Sequence, residues 1–240
     1  EQETLEWQRV RNRVEMICAH AAQVGVPIFI DAEDSWIQDA IDDLANEMMD
    51  TFNKQKAIVY NTIQLYRHDR LAFLKSSHQL AATGNYFIGV KLVRGAYMEK
   101  ERTRAQSMGY TDPIQPDKTS CDRDFDVAVA FCLDNIDRIS LCAGTHNEHS
   151  SMMLATAMDQ RAINRNDKRV FFAQLFGMSD HLSFNLANAG YNVAKYLPYG
   201  PIREVIPYLI RRAQENTSVK GQTGRELALI QREMKRRKMK

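Results

Sequence analysis

The sequence lacks the cysteine pairs, the long apolar runs and the glycine-rich motif that identify several large classes of protein. Its four cysteines lie far apart and form no C-x-x-C pair, so we predict neither a disulfide framework nor a zinc site. No apolar run is long enough to cross a bilayer, and the first residues show no signal-peptide core. The G-x-G-x-x-G pattern is absent as well, and its absence disfavours a nucleotide-binding open sheet.

Positive and negative charges nearly balance, with 32 basic residues against 30 acidic ones and a net charge of +2. This balance provides no electrostatic argument for binding nucleic acid. The distribution is uneven, because residues 220–240 carry +6 and residues 1–219 carry −4. Leu227, Ile230 and Met234 form an apolar line at helical spacing within that tail. We therefore predict a basic helical tail that either contacts an anionic membrane surface peripherally or is simply solvated.

Short apolar runs rich in β-branched residues alternate with helical patterns along the chain. The predicted strands are residues 27–31, 57–65, 86–93, 140–145, 170–175 and 193–197. The predicted helices are residues 4–23, 35–52, 67–83, 99–108, 122–135, 150–160 and 179–188. This alternation predicts an α/β protein with a parallel sheet covered by helices.

Polar side chains collect where the predicted strands end, which favours a barrel over an open sheet. The strand-end residues are Asp31, Gln64, Arg94, Tyr97, Thr145, His146, Gln174 and Tyr196. In a TIM-like (βα)8 barrel these positions ring the face on which active sites are built. Only about six βα units are found, and the chain opens on a helix-like stretch, as if the first two units were absent. We expect a partial barrel over residues 1–219, followed by the tail at 220–240.

The last helical segment of that barrel, predicted to begin with Pro201 as its first residue, carries both an apolar stripe and a charged face. Its apolar positions recur at the spacing of a buried helical face: Ile202, Val205, Ile206, Leu209 and Ile210. Four polar residues share the adjoining face: Tyr208, Arg211, Arg212 and Glu215. Two guanidinium groups with an orienting carboxylate are suited to bind an anion, whereas the alternative is a solvated charged edge. The spacing alone leaves both interpretations open.

Six motifs, taken in order, resemble the catalytic domain of the proline dehydrogenase family. They are FIDAED (29–34), IQLYR (63–67), VKLVRGAYMEKE (90–101), GTHNEHS (144–150), AQLFGM (173–178) and YGPIREVIPYLIRRAQENT (199–217). The resemblance implies a distorted α/β barrel of the proline dehydrogenase type with FAD at its carboxyl-end face. It also implies hydride transfer from C5 of L-proline to flavin N5, giving 1-pyrroline-5-carboxylate, with a quinone taking the electrons.

The resemblance assigns roles to individual residues. For the substrate, Arg211 and Arg212 would hold the carboxylate and Glu215 would orient them. Tyr196 and Tyr208 would pack on the proline ring. The remaining substrate-side positions are Asp31, Leu92 and Tyr97. The cofactor-side positions are Lys91 near the flavin ring, Gln64 at the ring edge, Thr145 and His146 along the chain of the cofactor, Lys118 at a phosphate and Met178 over the adenine.

Several alternatives stay open beside this assignment. The sequence HNEH (146–149) lacks the spacing of the H-E-x-x-H metal motif, so flavin contact or helix capping is favoured over a metal site. In DAED (31–34), Asp34 or Ser35 is expected to cap a helix rather than to bind a metal. A flavin-free barrel enzyme acting on an anionic substrate, or a non-catalytic barrel remnant, are the other functions. The expected location is the cytoplasm, peripheral to the inner membrane, with the mitochondrion as the alternative.

Overall fold

Strands and helices follow one another along the chain in the predicted order. The computed structural model describes the backbone of residues 2–218 and 222–238, and the side chains of 2–210, 212 and 227–238. The strands are β1 (Ile28–Ile30), β2 (Val59–Gln64), β3 (Ile88–Val93), β4 (Ile139–Gly144), β5 (Val170–Leu175) and β6 (Val193–Tyr196). The helices are α1 (Gln2–Val24), α2 (Ser35–Phe52), α3 (Arg70–Gly84), α4 (Met98–Met108), α5 (Lys118–Asp134), α6 (Glu148–Gln160), α7 (Asp180–Asn188), α8 (Ile202–Ser218) and α9 (Gln222–Lys238).

The six strands form one parallel sheet in the order β1-β2-β3-β4-β5-β6, which curls into a half-barrel. The prediction of a parallel barrel-type sheet with six units is confirmed. Among the described residues, β1 and β6 each pair with a single neighbouring strand. The predicted boundary between barrel and tail falls at residues 219–220, which lie outside the described part of the chain.

Alternate residues of each strand point to opposite faces of the sheet. On the outer face, Ile88, Val90 and Leu92 of β3 are almost fully buried in one apolar cluster with Phe125 and Val129 of α5. The inner face, which is the concave side of the half-barrel, carries the intervening residues. Because alternation places Leu92 on the outer face, it does not join Lys91, which lies on the inner face.

The inner face begins with an aromatic pair near the amino ends of the strands. Phe29 of β1 meets Tyr60 of β2 edge-to-face, with ring centroids 5.2 Å apart. Gly89 of β3 makes room for this pair, because a Cβ atom at that position would lie 2.5 Å from the Tyr60 ring. The absence of a side chain at residue 89 therefore permits the close packing of β2 against β3.

Two predicted helix starts were wrong for local reasons. Helix α3 begins at Arg70 rather than at residue 67, because Arg67 belongs to a turn in which its guanidinium pairs with Asp69. Helix α5 begins at Lys118 rather than at residue 122, because the Asp117 carboxylate accepts a hydrogen bond from the backbone N–H of Ser120 at 2.7 Å. Such N-terminal capping sets where a helix begins.

The apolar stripe of α8 is exposed, contrary to the prediction of a buried face. The helix begins at Ile202, one residue after Pro201, which was predicted as its first residue. However, Ile202 is 78% exposed, and Ile206, Leu209 and Ile210 are each about half exposed. The helical period was correctly inferred, but burial requires a packed partner layer, which the described residues do not provide for this face.

Candidate active site at the carboxyl ends of the strands

An ion pair lies on the inner face where β1 and β3 end. The ammonium group of Lys91 contacts the carboxylate of Asp31, and the Thr62 hydroxyl lies 3.4 Å from the same carboxylate. The Lys91 nitrogen is also 5.3 Å from the centre of the Phe29 ring. Asp31 therefore points inward, as strand alternation predicts. Asp31 follows β1, Thr62 belongs to β2 and Lys91 belongs to β3. Side chains from three neighbouring strands therefore meet at this ion pair.

The loop between β1 and α2 connects two further predicted site residues. The Tyr97 hydroxyl donates a hydrogen bond to the Glu33 carboxylate at 2.7 Å. The side-chain amide of Gln64 donates to the Glu33 backbone carbonyl at 2.8 Å. Tyr97 and Gln64 come from different strand–helix units, so Glu33 brings their polar groups to a common loop. Sequence reasoning treated Glu33 only as part of an acidic cluster and missed this role.

The start of α2 is capped by a residue that the sequence did not indicate. Asp34 occupies the N-cap position, but its side chain makes no capping hydrogen bond. Instead, the buried carboxylate of Glu101 on α4 accepts bonds from the N–H and the hydroxyl of Ser35, both at 2.6 Å. The Asp34 carboxylate pairs with Lys100 at 2.6 Å. A carboxylate 66 residues away in sequence thus satisfies the helix start.

Arg94, at the end of β3, organises the next strand–helix loop. Its guanidinium donates to the Thr145 hydroxyl at 2.8 Å and to the Ser150 hydroxyl at 2.9 Å. It also pairs with Asp122 at 2.6 Å, and Asp122 accepts a second ion pair from Lys118. The sequence placed Arg94 at a strand end without assigning it a role. Lys118 is well exposed and held by Asp122.

His146 is held neutral at the start of α6. Its Nδ1 atom lies 2.9 Å from the hydroxyl oxygen of Ser179, which precedes α7. Burial of the ring, reinforced by the positive charges of Lys195 and Arg212, lowers the pKa of His146 to about 4. Desolvation and like charges both disfavour the imidazolium form. Near neutral pH His146 therefore acts as a neutral hydrogen-bonding group.

A cleft of about 480 Å³ opens between the loop after β5 and helix α8. It is lined by Leu175, Met178, Tyr196, Tyr208 and Arg212, among others. The Tyr196 and Tyr208 rings meet edge-to-face with their centroids 5.6 Å apart, and the Arg212 guanidinium lies 5.1 Å from the Tyr208 centroid. Four predicted site residues, together with the unassigned Leu175, therefore share this cleft.

Some predicted positions lie apart from this arrangement. Leu92 is fully buried on the outer face of β3, so its side chain is not part of the inner face. The backbones of Arg211 and Glu215 belong to α8, whereas their side chains lie outside the described residues. Lys195 was not predicted, although its ammonium group donates to the Met178 carbonyl at 2.6 Å and pairs with Asp180. Its position one residue before Tyr196 was the available signal.

The Cys142 thiol, on the strand beside Lys91, is held in its protonated form. Cys142 of β4 is paired in register with Lys91, and burial raises the pKa of its thiol to about 12. Within the part of the chain that the structure describes, no group of three His, Cys, Asp or Glu residues is arranged to hold a metal ion. The polar side chains described at this face carry carboxylates, an ammonium group, guanidinium groups, amides, hydroxyls and phenols.

Comparison with known proteins assigns the family. The sequence model of the family "Proline dehydrogenase" matches residues 2–225, so the chain belongs to the proline dehydrogenase family. It is 39% identical over 238 residues to "Proline dehydrogenase 1, mitochondrial" of Drosophila melanogaster, covering 95% of this chain and 35% of that protein. It is 40% identical over 229 residues to "Hydroxyproline dehydrogenase" of Xenopus laevis, covering 94% of this chain and 49% of that protein.

A solved structure shares the fold. Proline utilization A (PutA) from Bdellovibrio bacteriovorus, inactivated by N-propargylglycine, superimposes with a TM-score of 0.82 at 24% identity. The match covers 89% of this chain and 22% of that chain. The chain spans about a third to a half of the length of the curated relatives it matches. The likeness to PutA supports the barrel-type architecture.

Proposed function

We propose that this chain contributes the catalytic barrel of a flavin-dependent proline dehydrogenase, which oxidises L-proline to 1-pyrroline-5-carboxylate in proline catabolism. The observation that carries the proposal is the cleft in which Tyr196, Tyr208 and Arg212 meet. An aromatic pair beside a guanidinium suits a small apolar ring that bears a carboxylate. Family membership supports the same activity.

Recognition of the substrate carboxylate falls to the arginine pair of α8. The guanidinium of Arg212 lies over the Tyr208 ring, and this stacking restricts its orientation. A planar guanidinium binds a carboxylate through two parallel hydrogen bonds, which a lysine cannot reproduce. Arg211, the next residue in the chain, is proposed to add a second guanidinium, with Glu215 one turn later as its orienting carboxylate. The two tyrosines are proposed to pack on the proline ring and to exclude water.

FAD is the proposed cofactor, and the donors on the inner face fit its ring. When bound, FAD would accept the hydride at N5 and pass the electrons to a second acceptor. Lys91 is proposed to stabilise negative charge on the reduced ring, and Asp31 fixes the direction of the Lys91 ammonium group. Gln64, whose amide is already anchored on Glu33, is proposed to hydrogen-bond the ring edge. Thr145 and His146 are proposed to contact the remaining part of the cofactor.

Two further cofactor contacts are proposed for Lys118 and Met178. Lys118 would contact a phosphate only by leaving its ion pair with Asp122. Met178 lies in the cleft beside Tyr196 and Arg212, and its thioether is proposed to cover an aromatic face of the cofactor. Proline reacts with its amine neutral, and we assign no side chain as base. With a pKa of about 4, His146 is a weak base at neutral pH.

The electron acceptor is proposed to be a quinone, reached by peripheral contact with a membrane. Along α9, Leu227, Ile230 and Met234 are exposed, and its last turn carries four basic residues. Such a helix suits the surface of an anionic bilayer. None of the helices in the described ranges combines the length and apolar character needed to span a bilayer. The name of the fly relative favours the mitochondrial location over the cytoplasmic one.

A second substrate is favoured by one comparison. The frog relative is named hydroxyproline dehydrogenase, and Tyr196 is about half exposed beside the cleft. We propose 4-hydroxyproline as the alternative substrate of the same site. The ratio of kcat/KM for the two amino acids decides between them, and a ratio above one for hydroxyproline would reverse our assignment.

The proposed activity is tested by an anaerobic visible spectrum of the purified protein with FAD, recorded before and after addition of L-proline. A flavin band that stays with the protein and bleaches on adding proline supports the proposal. A bound flavin that proline leaves oxidised contradicts it. A phosphate ester found in the cleft of a flavin-free preparation would favour the alternative enzyme acting on an anionic substrate.

A further inference from the structure

Three consecutive residues, the last two of the β1–α2 loop and the first of α2, each contact a residue at the start of α4. The Glu33 carboxylate accepts from Tyr97, the Asp34 carboxylate pairs with Lys100, and Ser35 donates to Glu101. Residues 97, 100 and 101 lie on one side of a helical turn, because positions three and four apart are neighbours. The segment before and at the start of α2 is therefore joined to the start of α4 by contacts that need no ligand.

Apart from Asp31, which is itself a predicted site residue, Glu33 is the residue of this loop that contacts the predicted site. Its carboxylate binds the Tyr97 hydroxyl at 2.7 Å, and its carbonyl accepts from Gln64 at 2.8 Å. Its backbone N–H donates to the side-chain oxygen of Gln38 at 2.8 Å. Both groups of the Glu33 backbone are thus anchored, so the direction of its carboxylate is restricted.

A buried network holds Gln38 in turn. The Gln38 amide donates to Asp42 at 2.9 Å, and Asp42 also pairs with Arg70 at 2.5 Å and accepts from Asn61 at 2.7 Å. All four side chains are almost completely buried. Since buried polar networks rigidify when every member is paired, the loop that carries Glu33 is supported from within the protein.

We propose that Glu33 is a positioning residue that acts on the substrate through Tyr97. A hydrogen bond to a carboxylate is shorter and stronger than one between neutral groups, and it directs the phenol oxygen of Tyr97 toward the β1–α2 loop. The Tyr97 ring is thereby held in one orientation beside the inner face. Glu33 itself is exposed, so its contribution to folding is small. The inference rests on the proposed function, in which Tyr97 lies beside proline.

The test uses Glu33→Ala, the conservative variant Glu33→Gln, Tyr97→Phe and the double variant Glu33→Ala/Tyr97→Phe. We expect Glu33→Ala to raise the proline KM about tenfold with little change in kcat, because a charged hydrogen bond is lost. Glu33→Gln retains an acceptor oxygen and should recover most of the affinity. The double variant should bind proline no worse than Tyr97→Phe alone, since both changes remove the same contact. Asp39→Ala, another exposed carboxylate near the start of α2, is the matched control.

Additive losses in the double variant, or an unchanged KM in Glu33→Ala, would overturn the inference. A second readout is independent of catalysis: hydrogen exchange at the Glu101 amide, which donates to the Tyr97 carbonyl at 2.9 Å. Exchange should be faster in Glu33→Ala and as slow as in the wild type in Glu33→Gln and Asp39→Ala. Unchanged exchange in Glu33→Ala contradicts the inference even if the wild-type protein does not oxidise proline. Failure of the proposed function is recognised separately, by flavin that proline leaves oxidised in the wild type.

Discussion

The two ends of the sheet differ in how their side chains are held. Around β1, β2 and β3, ion pairs and hydrogen bonds join the strand-end residues, and a buried network lies behind them. Beyond β6, four apolar side chains of α8 are about half exposed or more: Ile202, Ile206, Leu209 and Ile210. The first end is thus arranged before any ligand binds. The second end carries the proposed carboxylate-binding arginines on a helix with an exposed apolar face.

This difference has a consequence for ligand binding. A site that is already ordered loses little conformational entropy when a ligand arrives, whereas exposed side chains lose more. We therefore expect the proposed flavin-ring contacts near β1–β3 to vary little with proline. Proline should mainly order the exposed side chains that line the cleft, such as Tyr196 and Leu209. The following predictions test this contrast, beginning with the largest effect.

The largest effect is expected at Asp42, behind the ordered end. Asp42→Ala removes the close carboxylate partner of the buried Arg70 guanidinium and leaves only Asp69, 3.8 Å away; the Asp42 and Arg70 side chains are both less than 5% exposed. Removing one partner of a buried ion pair should lower the free energy of unfolding by about 3–5 kcal/mol. Urea denaturation measures the change, with the exposed neighbour Asp43→Ala as control. A loss below about 1 kcal/mol would show that this network does not support the ordered end.

The next largest effect is expected at the arginines of α8. Arg211→Met should raise the proline KM by at least ~100-fold, since a charged hydrogen bond to the substrate is worth about 3 kcal/mol. Arg203→Met, on the exposed side of the same helix and paired only with its neighbour Glu204 among the described contacts, should leave the KM unchanged. Steady-state kinetics of both variants, with FAD present and the proline concentration varied, measures the KM. An unaltered KM in Arg211→Met would refute the carboxylate assignment.

A pH effect of intermediate size is expected from His146, between the two ends. Its pKa is about 4 in the folded protein and about 6.5 in the unfolded chain. Between these values the unfolded state binds more protons, so stability is complete above about pH 6.5 and falls as the pH decreases toward 4. The partly exposed ring reduces the loss to about 2 kcal/mol. Urea denaturation from pH 4 to 7 should show a shallower pH dependence for His146→Gln than for the wild type, and equal slopes would contradict this account.

The smallest effect is expected on the exposed stripe of α8. Ile202→Ala should change the free energy of unfolding by about 0.5 kcal/mol or less, because the side chain is 78% exposed. The same substitution at Ile88, which is fully buried in β3, should cost about 2–5 kcal/mol. Thermal or urea denaturation of the two variants compares them directly. Similar losses at both positions would mean that the α8 stripe is covered in the native protein.

Much of the fold was predictable because it depends on local pattern. All six strands were located to within two residues at each end, and α2 was placed correctly from Ser35 to Phe52. The starts of α3 and α5 were misjudged because they depend on single turn and cap contacts at Asp69 and Asp117. The burial of α8 was wrongly predicted, because periodicity describes one helix whereas burial depends on a second element.

The site was predictable only as far as its residues lie at strand ends or within family motifs. The strand-end rule brought Asp31, Gln64 and Tyr97 together, and the structure places all three at or just after the carboxyl ends of neighbouring strands. The roles of Glu33, Glu101 and Lys195 were missed because each depends on a partner distant in sequence. A carboxylate in an acidic run has no sequence signal that identifies which phenol or helix end it will contact.

By itself, the sequence determined the alternation of strands and helices, the parallel sheet, the barrel-type architecture and the family. These follow from periodicity, turn residues and ordered motifs, all of which are local along the chain. Only the tertiary structure decided which charges pair, that His146 is held neutral, that Leu92 is buried on the outer face of the sheet and that the α8 stripe is exposed. Those properties depend on distance and burial between segments far apart in sequence, because both electrostatic interaction and desolvation are set by the surroundings of a group.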